Sequence, residues 1–373
     1  MPTTTVLHVR SSGGLFGADR VVLDLCLGLE RHGVKAVLAP IVEPDGSGEA
    51  LVERALEAGV TVRPMVLGHV WEREHWSALC RVATAAGAAI VHTHDYKSDL
   101  LAALGRGEWR RVSTLHGWVG TTAALRFKER IGAWLVRRFD RVVCVSEALA
   151  ARERARGLVG VRVVHNGIDL RPFELELDDD SRNELARSLG LCRGVPVIGA
   201  VGRLSEEKGY DILLESVALL RADGRELEVL LVGDGPERRM LSRRAEKLGL
   251  TGAVHLPGVR EDAARVYSLL DVFCMPSRRE GLPLALLEAM AAGCAVVASP
   301  VGGIPEVLGG EEATGVSVPP GDAPALARAI GSLLDDPHRR AELGQQARDR
   351  VRQAFSCERM TESMASLYHE LLG

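Results

Sequence analysis

Short apolar runs rich in valine, leucine and isoleucine recur along this chain, separated by stretches whose apolar positions fall at helical spacing. In the first half the runs are TTVLHVR, KAVLAP, AAIVHTH, RRVSTLH, RVVCVS and VRVVHNG. The acidic passage FELELDDDSRNELARSLGL interrupts them, and the cycle restarts with PVIGAVG, EVLLVGD, AVHLPG, VFCMPS and AVVASP. Strands that alternate with helices in this way predict an α/β chain with a doubly wound parallel sheet in each half. The terminal segment SCERMTESMASLYHELL carries Met360, Met364, Leu367, Tyr368 and Leu371 at helical spacing, which predicts a final helix with one core-facing side.

Composition agrees with this pattern and excludes some functions. A chain of 373 residues with 46% hydrophobic content supports two well-filled domains. The formal charge of −4 and the absence of basic blocks interleaved with aromatics argue against a nucleic-acid partner. MPTTTVLHVR runs straight into a strand with no leader-like regions, and no apolar run is long enough to span a bilayer, so a cytoplasmic location is expected. The seven cysteines are scattered, with Cys144, Cys274 and Cys294 inside apolar runs, and read as reduced core residues. Asp178, Asp179 and Asp180 imitate an acidic metal-binding pair, but Ser181 with Glu184 forms a capping box, so the passage is expected to be an interdomain linker with a solvated helix cap.

Ligands in doubly wound sheets sit beyond the carboxyl ends of the strands, and the chemically suggestive residues Gly13, His116, Asn166, Arg203, Gly233 and Glu280 all follow predicted strands. In SRREGLPLALLEAMAAGCAVVASPVGG, residues 277–303, Pro283 fits the first turn of a helix running toward Gly293, with Glu280 before it and Glu288 within it. The amides at such a helix start can meet an anion while the two carboxylates accept from sugar hydroxyls, a frame suited to a nucleotide sugar. Arg203 and Lys208 follow IGAVG closely enough to converge on one diphosphate, whereas Glu207 reads as merely solvated. His116 precedes Gly117, which permits close ligand approach. His92 and His94 share one side of a strand and with Asp95 could in principle hold a metal, but no further ligand is evident in the sequence, so no metal is expected. Asp95 is expected to touch an acceptor or a neighbouring loop. Gly13, Gly14 and Gly17 lie in the first strand-to-helix loop, and Gly233, Gly302 and Gly303 in later ones. RFKERIGAWLVRRFDR, residues 126–141, places Phe127, Ile131, Trp134 and Leu135 on one face among arginines, either as a sheet-packing helix or as a peripheral membrane contact.

The spacing of Glu280 and Glu288, together with GGLFGADR (13–20), HTHDYKSD (92–99), TLHGW (114–118), HNGID (165–169), VGRLSEEKG (201–209) and LVGDGP (231–236), resembles the retaining glycosyltransferases of family 4 over nearly the whole chain. The resemblance implies the GT-B fold: two Rossmann-like domains facing across a cleft that holds the active site. It places an acceptor-side domain at 1–175, a nucleotide-sugar domain at 190–355 and a terminal helix, 356–373, crossing back to the first domain. It implies transfer of a hexose from a nucleoside-diphosphate sugar, uridine favoured, to an acceptor hydroxyl, with no metal and no cofactor. The acceptor class stays open between glycan, lipid, peptide and small metabolite. By the same resemblance, His116, Arg203, Lys208 and Glu280 are catalytic. Gly13, Gly14, Gly17, Gly233, Leu282, Pro283, Leu284 and Glu288 bind the donor. The family's first loop is usually shorter, so which of its glycines meets the ligand stays open. A nucleoside-diphosphate-sugar epimerase or hydrolase of the same fold, or a silent nucleotide-sugar-binding subunit, are the alternatives.

Overall fold

The structure is a computed structural model that describes residues 4–14, 17–67, 73–117, 131–175, 177–310 and 313–373. It divides into two compact units, one formed by Met1–Ile168 with Ser356–Gly373 and the other by Asp169–Phe355.

The first unit contains strands β1 (Thr4–Ser11), β2 (Val34–Val42), β3 (Thr61–Val62), β4 (Met65–Val66), β5 (Ile90–Thr93), β6 (Arg110–Leu115), β7 (Arg141–Cys144) and β8 (Val161–Val163). Their order is β3-β2-β1-β5-β6-β7-β8, with β4 also paired to β2, and every pairing is parallel. The second unit has β9 (Val197–Val201), β10 (Glu228–Val232), β11 (Val254–Gly258), β12 (Val272–Met275), β13 (Ala295–Ala298) and β14 (Val316–Ser317). These are parallel in the order β11-β10-β9-β12-β13-β14. Both sheets are Rossmann-like, as the alternating apolar runs predict. The two-residue strands β3, β4 and β14 are too short to show a period and went unforeseen.

A parallel strand covered by helices on both faces must be apolar nearly throughout, which is why EVLLV of β10 is buried along its whole length. In the second unit Ile198, Leu231 and Val297 of the sheet meet Leu213 of the helix Tyr210–Ala222 and Ile330 of the helix Ala323–Asp335 in one core. Each such fully buried aliphatic side chain contributes about 1.5–3 kcal/mol. In the first unit β1 pairs with β5 in a register that sets His8 beside His92.

The last helix, Cys357–Leu372, belongs to the first unit. Ser356 bridges to Ile168, and the amide of Cys357 donates to the Ile168 carbonyl at 3.0 Å. Ser356 also caps the helix by accepting from the amide of Arg359. Met360, Met364, Leu367 and Tyr368 are buried as the spacing predicts, while Leu371 is half-buried. The helix lies so close to Gly17–Leu29 that a Cβ on Gly28 would stand 2.4 Å from Thr361 Cγ2.

Several expectations need correction. The acidic passage is no linker: Asp179–Ser188 is a helix of the second unit, capped by Asp178, whose carboxylate accepts from the amide of Ser181 at 2.7 Å, and Ser181 lies inside it. Pro283 takes the capping position with extended backbone, one residue before the helix Leu284–Ala291, where its missing N–H equally costs nothing. Cys192 is exposed, and Cys80 and Cys357 are half-buried, so only four of the cysteines are core residues. Trp134 is 53% exposed whereas Leu135 is buried, so the two do not share one stripe, and Phe127 lies outside the described residues. Among the described residues no helix is long and apolar enough to cross a membrane.

Candidate functional site

In the second unit the loops after β9, β10, β12 and β13 are stitched together by backbone. The amide of Gly303 donates to the Gly281 carbonyl at 2.7 Å, and that of Arg278 to the Glu207 carbonyl at 2.7 Å. Two glycines are demanded by contact. Gly233, at φ +136°, would bring a Cβ within 2.0 Å of the Gly202 carbonyl oxygen, and Gly302, at φ +57°, within 2.0 Å of that of Glu280. Gly302 is therefore more than a strand-to-helix turn: it lets the loop after β13 press on the backbone that carries Glu280.

Lys208 ends a short 3₁₀ turn, Glu206–Lys208, after β9, and its Nζ donates to Glu280 Oε1 at 2.8 Å. Ser277 Oγ donates to the same oxygen at 2.7 Å. The Glu280 side chain is 7% exposed, so its charge is held by two donors in a largely dry setting. Lys208, expected on a diphosphate, and Glu280, expected on a sugar, are joined in one ion pair. Arg203, also after β9, is exposed. Glu207 is not merely solvated: its carboxylate accepts from Ser205 Oγ at 2.6 Å, and its carbonyl anchors the β12 loop. Glu288, 4% exposed in the helix Leu284–Ala291, accepts from Tyr267 Oη at 2.8 Å. Leu282 and Pro283 are buried, so the helix start can offer a ligand backbone more readily than those side chains. Chemically, the loops after β9 and β12 and the helix Leu284–Ala291 together carry two cations, two buried carboxylates and a helix N-terminus, groups of the kind that can hold a diphosphate and hydrogen-bond a polyol.

In the first unit the loop after β1 carries Gly13 and Gly14, and Gly17 opens the helix Gly17–Leu29; Leu15 and Phe16 lie outside the described residues. Beneath this loop Asp19 is fully buried, accepting from Arg10 Nε at 2.8 Å and from Ser12 Oγ at 2.9 Å. Asp95, expected to touch an acceptor or a neighbouring loop, serves as a helix cap and meets the end of β1. It caps the helix Tyr96–Leu104 through the amides of Lys97 and Ser98 and accepts from the amide of Ser11 at 2.7 Å. Asp99, buried, accepts from Thr93 Oγ1 at 2.5 Å and Ser113 Oγ at 2.8 Å, and burial pushes its carboxyl up to about 7.

His116 follows β6 and stands in a row of imidazoles. Its Nε2 lies 3.4 Å from His94 Nδ1, and His94 Nε2 lies 3.1 Å from His8 Nδ1. His92 stands beside the row, its Nδ1 2.5 Å from Tyr368 Oη and its Nε2 2.7 Å from Thr114 Oγ1. Burial drives the pKa of all four down, that of His8 and of His116 to about 3, with the Arg10 guanidinium adding to the shift at His116. The site thus contains the further histidine that the sequence reading did not find: nitrogens of His8, His92 and His94 all lie within 4.8 Å of one another. That spacing could hold a metal ion only by breaking hydrogen bonds, since both nitrogens of His92 and the facing pair of His8 and His94 are engaged. His8, Arg10, Asp19 and Tyr267 were all missed, and the strand register that pairs His8 with His92 is the signal that could have found the first.

Comparison with known proteins identifies the family and the fold. Residues 17–171 match the profile of Glycosyltransferase Family 4, and residues 181–350 that of Glycosyl transferases group 1. The chain is 31% identical over 260 residues to the lipopolysaccharide core biosynthesis mannosyltransferase LpsB of Rhizobium meliloti, covering 68% of this chain and 72% of that one. It is 30% identical over 309 residues to D-inositol 3-phosphate glycosyltransferase of Saccharomonospora viridis, covering 76% and 70%. Among solved structures, Anabaena Alr3699/HepE in complex with UDP and glucose superposes with a TM-score of 0.86 at 21% identity, covering 98% of this chain and all of that one. With two Rossmann-like parallel sheets, matched profiles along most of its length and relatives of this closeness, the chain belongs to the family 4 glycosyltransferases of GT-B fold.

Proposed function

We propose that this protein transfers a hexosyl group from a nucleoside-diphosphate sugar, uridine favoured, to an acceptor hydroxyl, with retention of anomeric configuration and without a metal ion. The observation that carries the proposal is the Lys208–Glu280 pair, backed by Ser277 and pressed from behind by Gly302, with Arg203 in the same loop as Lys208 after β9. Fixed cations there stabilise the charge that develops on the departing diphosphate, the work a metal does in other transferases. Glu280 positions the sugar, Glu288 the ribose, and His116 gives the transferred sugar a hydrogen bond. The amides at the start of the helix Leu284–Ala291, with Gly13, Gly14, Gly17 and Gly233, line the donor's path. In front-face transfer the leaving diphosphate oxygen takes the acceptor proton as the new glycosidic bond forms on the side the diphosphate leaves. UDP in the Anabaena structure supports uridine, while the mannosyltransferase name of LpsB keeps other sugars in the donor panel.

The test is a panel of nucleotide sugars scored by thermal shift and then by turnover in EDTA, with product configuration read by NMR. Retained activity in chelator and an unchanged anomeric configuration are expected. Activity lost in EDTA and restored by manganese, or an inverted product, would sink the corresponding part of the reading. Rapid consumption of donor without acceptor would favour the epimerase or hydrolase alternative, and binding without any turnover the silent subunit.

A peripheral membrane contact is a second part of the proposal, carried by Trp134, which stands exposed with the Arg138 guanidinium 4.8 Å over its ring. Cosedimentation with vesicles rich in anionic lipid should fall on Trp134→Ala. Equal sedimentation with neutral and anionic vesicles would contradict it.

A further inference from the structure

The row of imidazoles in the first unit has a property that no single histidine has. A neutral imidazole carries one N–H and one bare nitrogen, so it donates on one side and accepts on the other. His8 Nδ1 faces His94 Nε2 at 3.1 Å, and His94 Nδ1 faces His116 Nε2 at 3.4 Å. Each facing pair can share only one proton. The three rings therefore have two satisfied arrangements: all three protonated on Nδ1, or all three on Nε2. A change at one end must be repeated at the other.

The two ends of the row decide between them. Among the described residues, His8 Nε2 and His116 Nδ1 are both buried atoms without a hydrogen-bond partner. His8 is fully buried, whereas His116 is half-buried at the end of β6. An orphaned N–H deep in a core is rarer and costlier than an under-used acceptor. The Nε2-protonated arrangement would strand an N–H at His8 in the core, while the Nδ1-protonated one leaves a bare nitrogen there and puts the N–H at His116, in the half-buried residue at the strand end.

We propose that His8, His94 and His116 form one hydrogen-bonded chain held in the Nδ1-protonated register, so that His8 and His94 are positioning residues that present His116 Nδ1–H as a donor to the transferred sugar. The contact with sugar rests on the function proposed above; the register of the chain does not. Lowered pKa values keep the rings neutral, as the chain requires. The neighbours leave the shared protons alone. Arg10 Nη1 donates to the backbone carbonyl of His94 at 2.7 Å rather than to its ring. His92, whose ring centroid lies 4.3 Å from that of His94, spends both nitrogens on Tyr368 and Thr114 and packs the chain from the side. The tautomer of a histidine is set by the bond its other nitrogen makes, and here that bond is itself set one ring further back.

The experiment is 15N NMR on the full chain labelled at histidine, reading which ring nitrogen carries the proton through two-bond couplings, first without ligand. His8, His94 and His116 should all show a protonated Nδ1 and a bare Nε2, opposite to the tautomer favoured in water. An Nε2-protonated or mixed signal from any of the three would overturn the proposal, as would stoichiometric zinc with metal-shifted imidazoles. Two variants then probe function. His8→Asn keeps an amide donor where Nδ1–H stood and should retain kcat within about threefold. His8→Leu removes it and should lower kcat about ten- to a hundredfold with little change in the donor KM, the scale seen when the partner that orients a histidine is lost. It should also loosen the register, so that an Nε2-protonated fraction becomes visible at His116. Full kcat in folded His8→Leu would count against the proposal, and if that variant does not fold, the wild-type spectrum still decides. An Nδ1 register in a protein that transfers no sugar would refute the transferase reading and leave the chain standing, whereas active protein with an Nε2 register would do the reverse.

Discussion

Lys208 and Glu280 show how a pair of residues changes what each can be expected to do. Removing Lys208 leaves a largely buried carboxylate with Ser277 as its remaining described hydrogen-bond donor, so Lys208→Met should lower stability as well as turnover. Arg203→Ala, at an exposed position, should cut turnover a hundredfold or more, on the order of about 3 kcal/mol, and leave the melting temperature in place. The double variant Lys208→Met/Glu280→Gln should be more stable than Lys208→Met alone, with a coupling of about 1–3 kcal/mol by thermal or denaturant melts. Strict additivity would show that the ion pair contributes nothing of its own. Glu288 and Glu280 should also separate by calorimetry. Glu288→Gln, next to the Tyr267 hydroxyl, should weaken UDP binding about tenfold, while Glu280→Gln should leave UDP affinity nearly intact and damage turnover. The opposite pattern would exchange their roles.

At the scale of elements, the strand-end loops of the second unit work as a frame. Gly302 holds a left-handed backbone and leaves no room for a Cβ against the Glu280 carbonyl, whereas Gly321, at φ +80°, has open space around it. Gly302→Ala and Gly321→Ala should each lose about 1–3 kcal/mol to backbone strain. Only the former should also lose turnover, because it displaces the loop that carries Glu280. Equal turnover in the two variants would remove the frame from the account. The elements themselves were largely legible, since each apolar segment read as a strand, from TTVLHVR to AVVASP, contains one. What escaped depends on pairing across long stretches of chain. His8 and His94 are 86 residues apart, and His92 and Tyr368 276 apart, so no local window could have joined them. Arg203, Lys208, Glu280 and Glu288 could be proposed from the sequence because they sit at fixed spacings within motifs. Tyr267 and Asp19 could not, because a lone tyrosine or aspartate next to apolar neighbours looks like any other surface or core position until its partner is placed.

For the molecule as a whole, the buried titratable groups of the first unit predict how it responds to acid. Below about 6.5 the unfolded chain protonates its histidines, while the folded chain keeps His8 and His116 neutral down to about 3 and holds His92 and His94 neutral well below their ordinary value, so acid favours unfolding. Asp99 acts in the opposite sense. Its folded value of about 7 against an ordinary 3.8 means that the folded state holds a proton which the unfolded state releases, so its contribution to stability declines as pH rises through that window. Four groups outweigh one, and the melting transition of the first unit should fall as pH drops from 7 to 5. Asp99→Asn should make the fall steeper by removing the opposing group. A melting temperature that rises over the same range, in wild type or variant, would contradict the neutral burial of the four rings.

The first unit is also assembled from both ends of the chain. Its β-sheet is complete by residue 163, yet Tyr368, which holds His92, and Thr361, which meets Gly28, arrive with the final 16-residue helix. On a translating ribosome the second unit, an unbroken span from Asp169 to Phe355, emerges in full while the first still lacks its last wall. Order of synthesis and order of completion are therefore reversed: the unit whose first strand is made earlier is completed later, and the histidines near its centre acquire their full set of neighbours only after the second unit has been made.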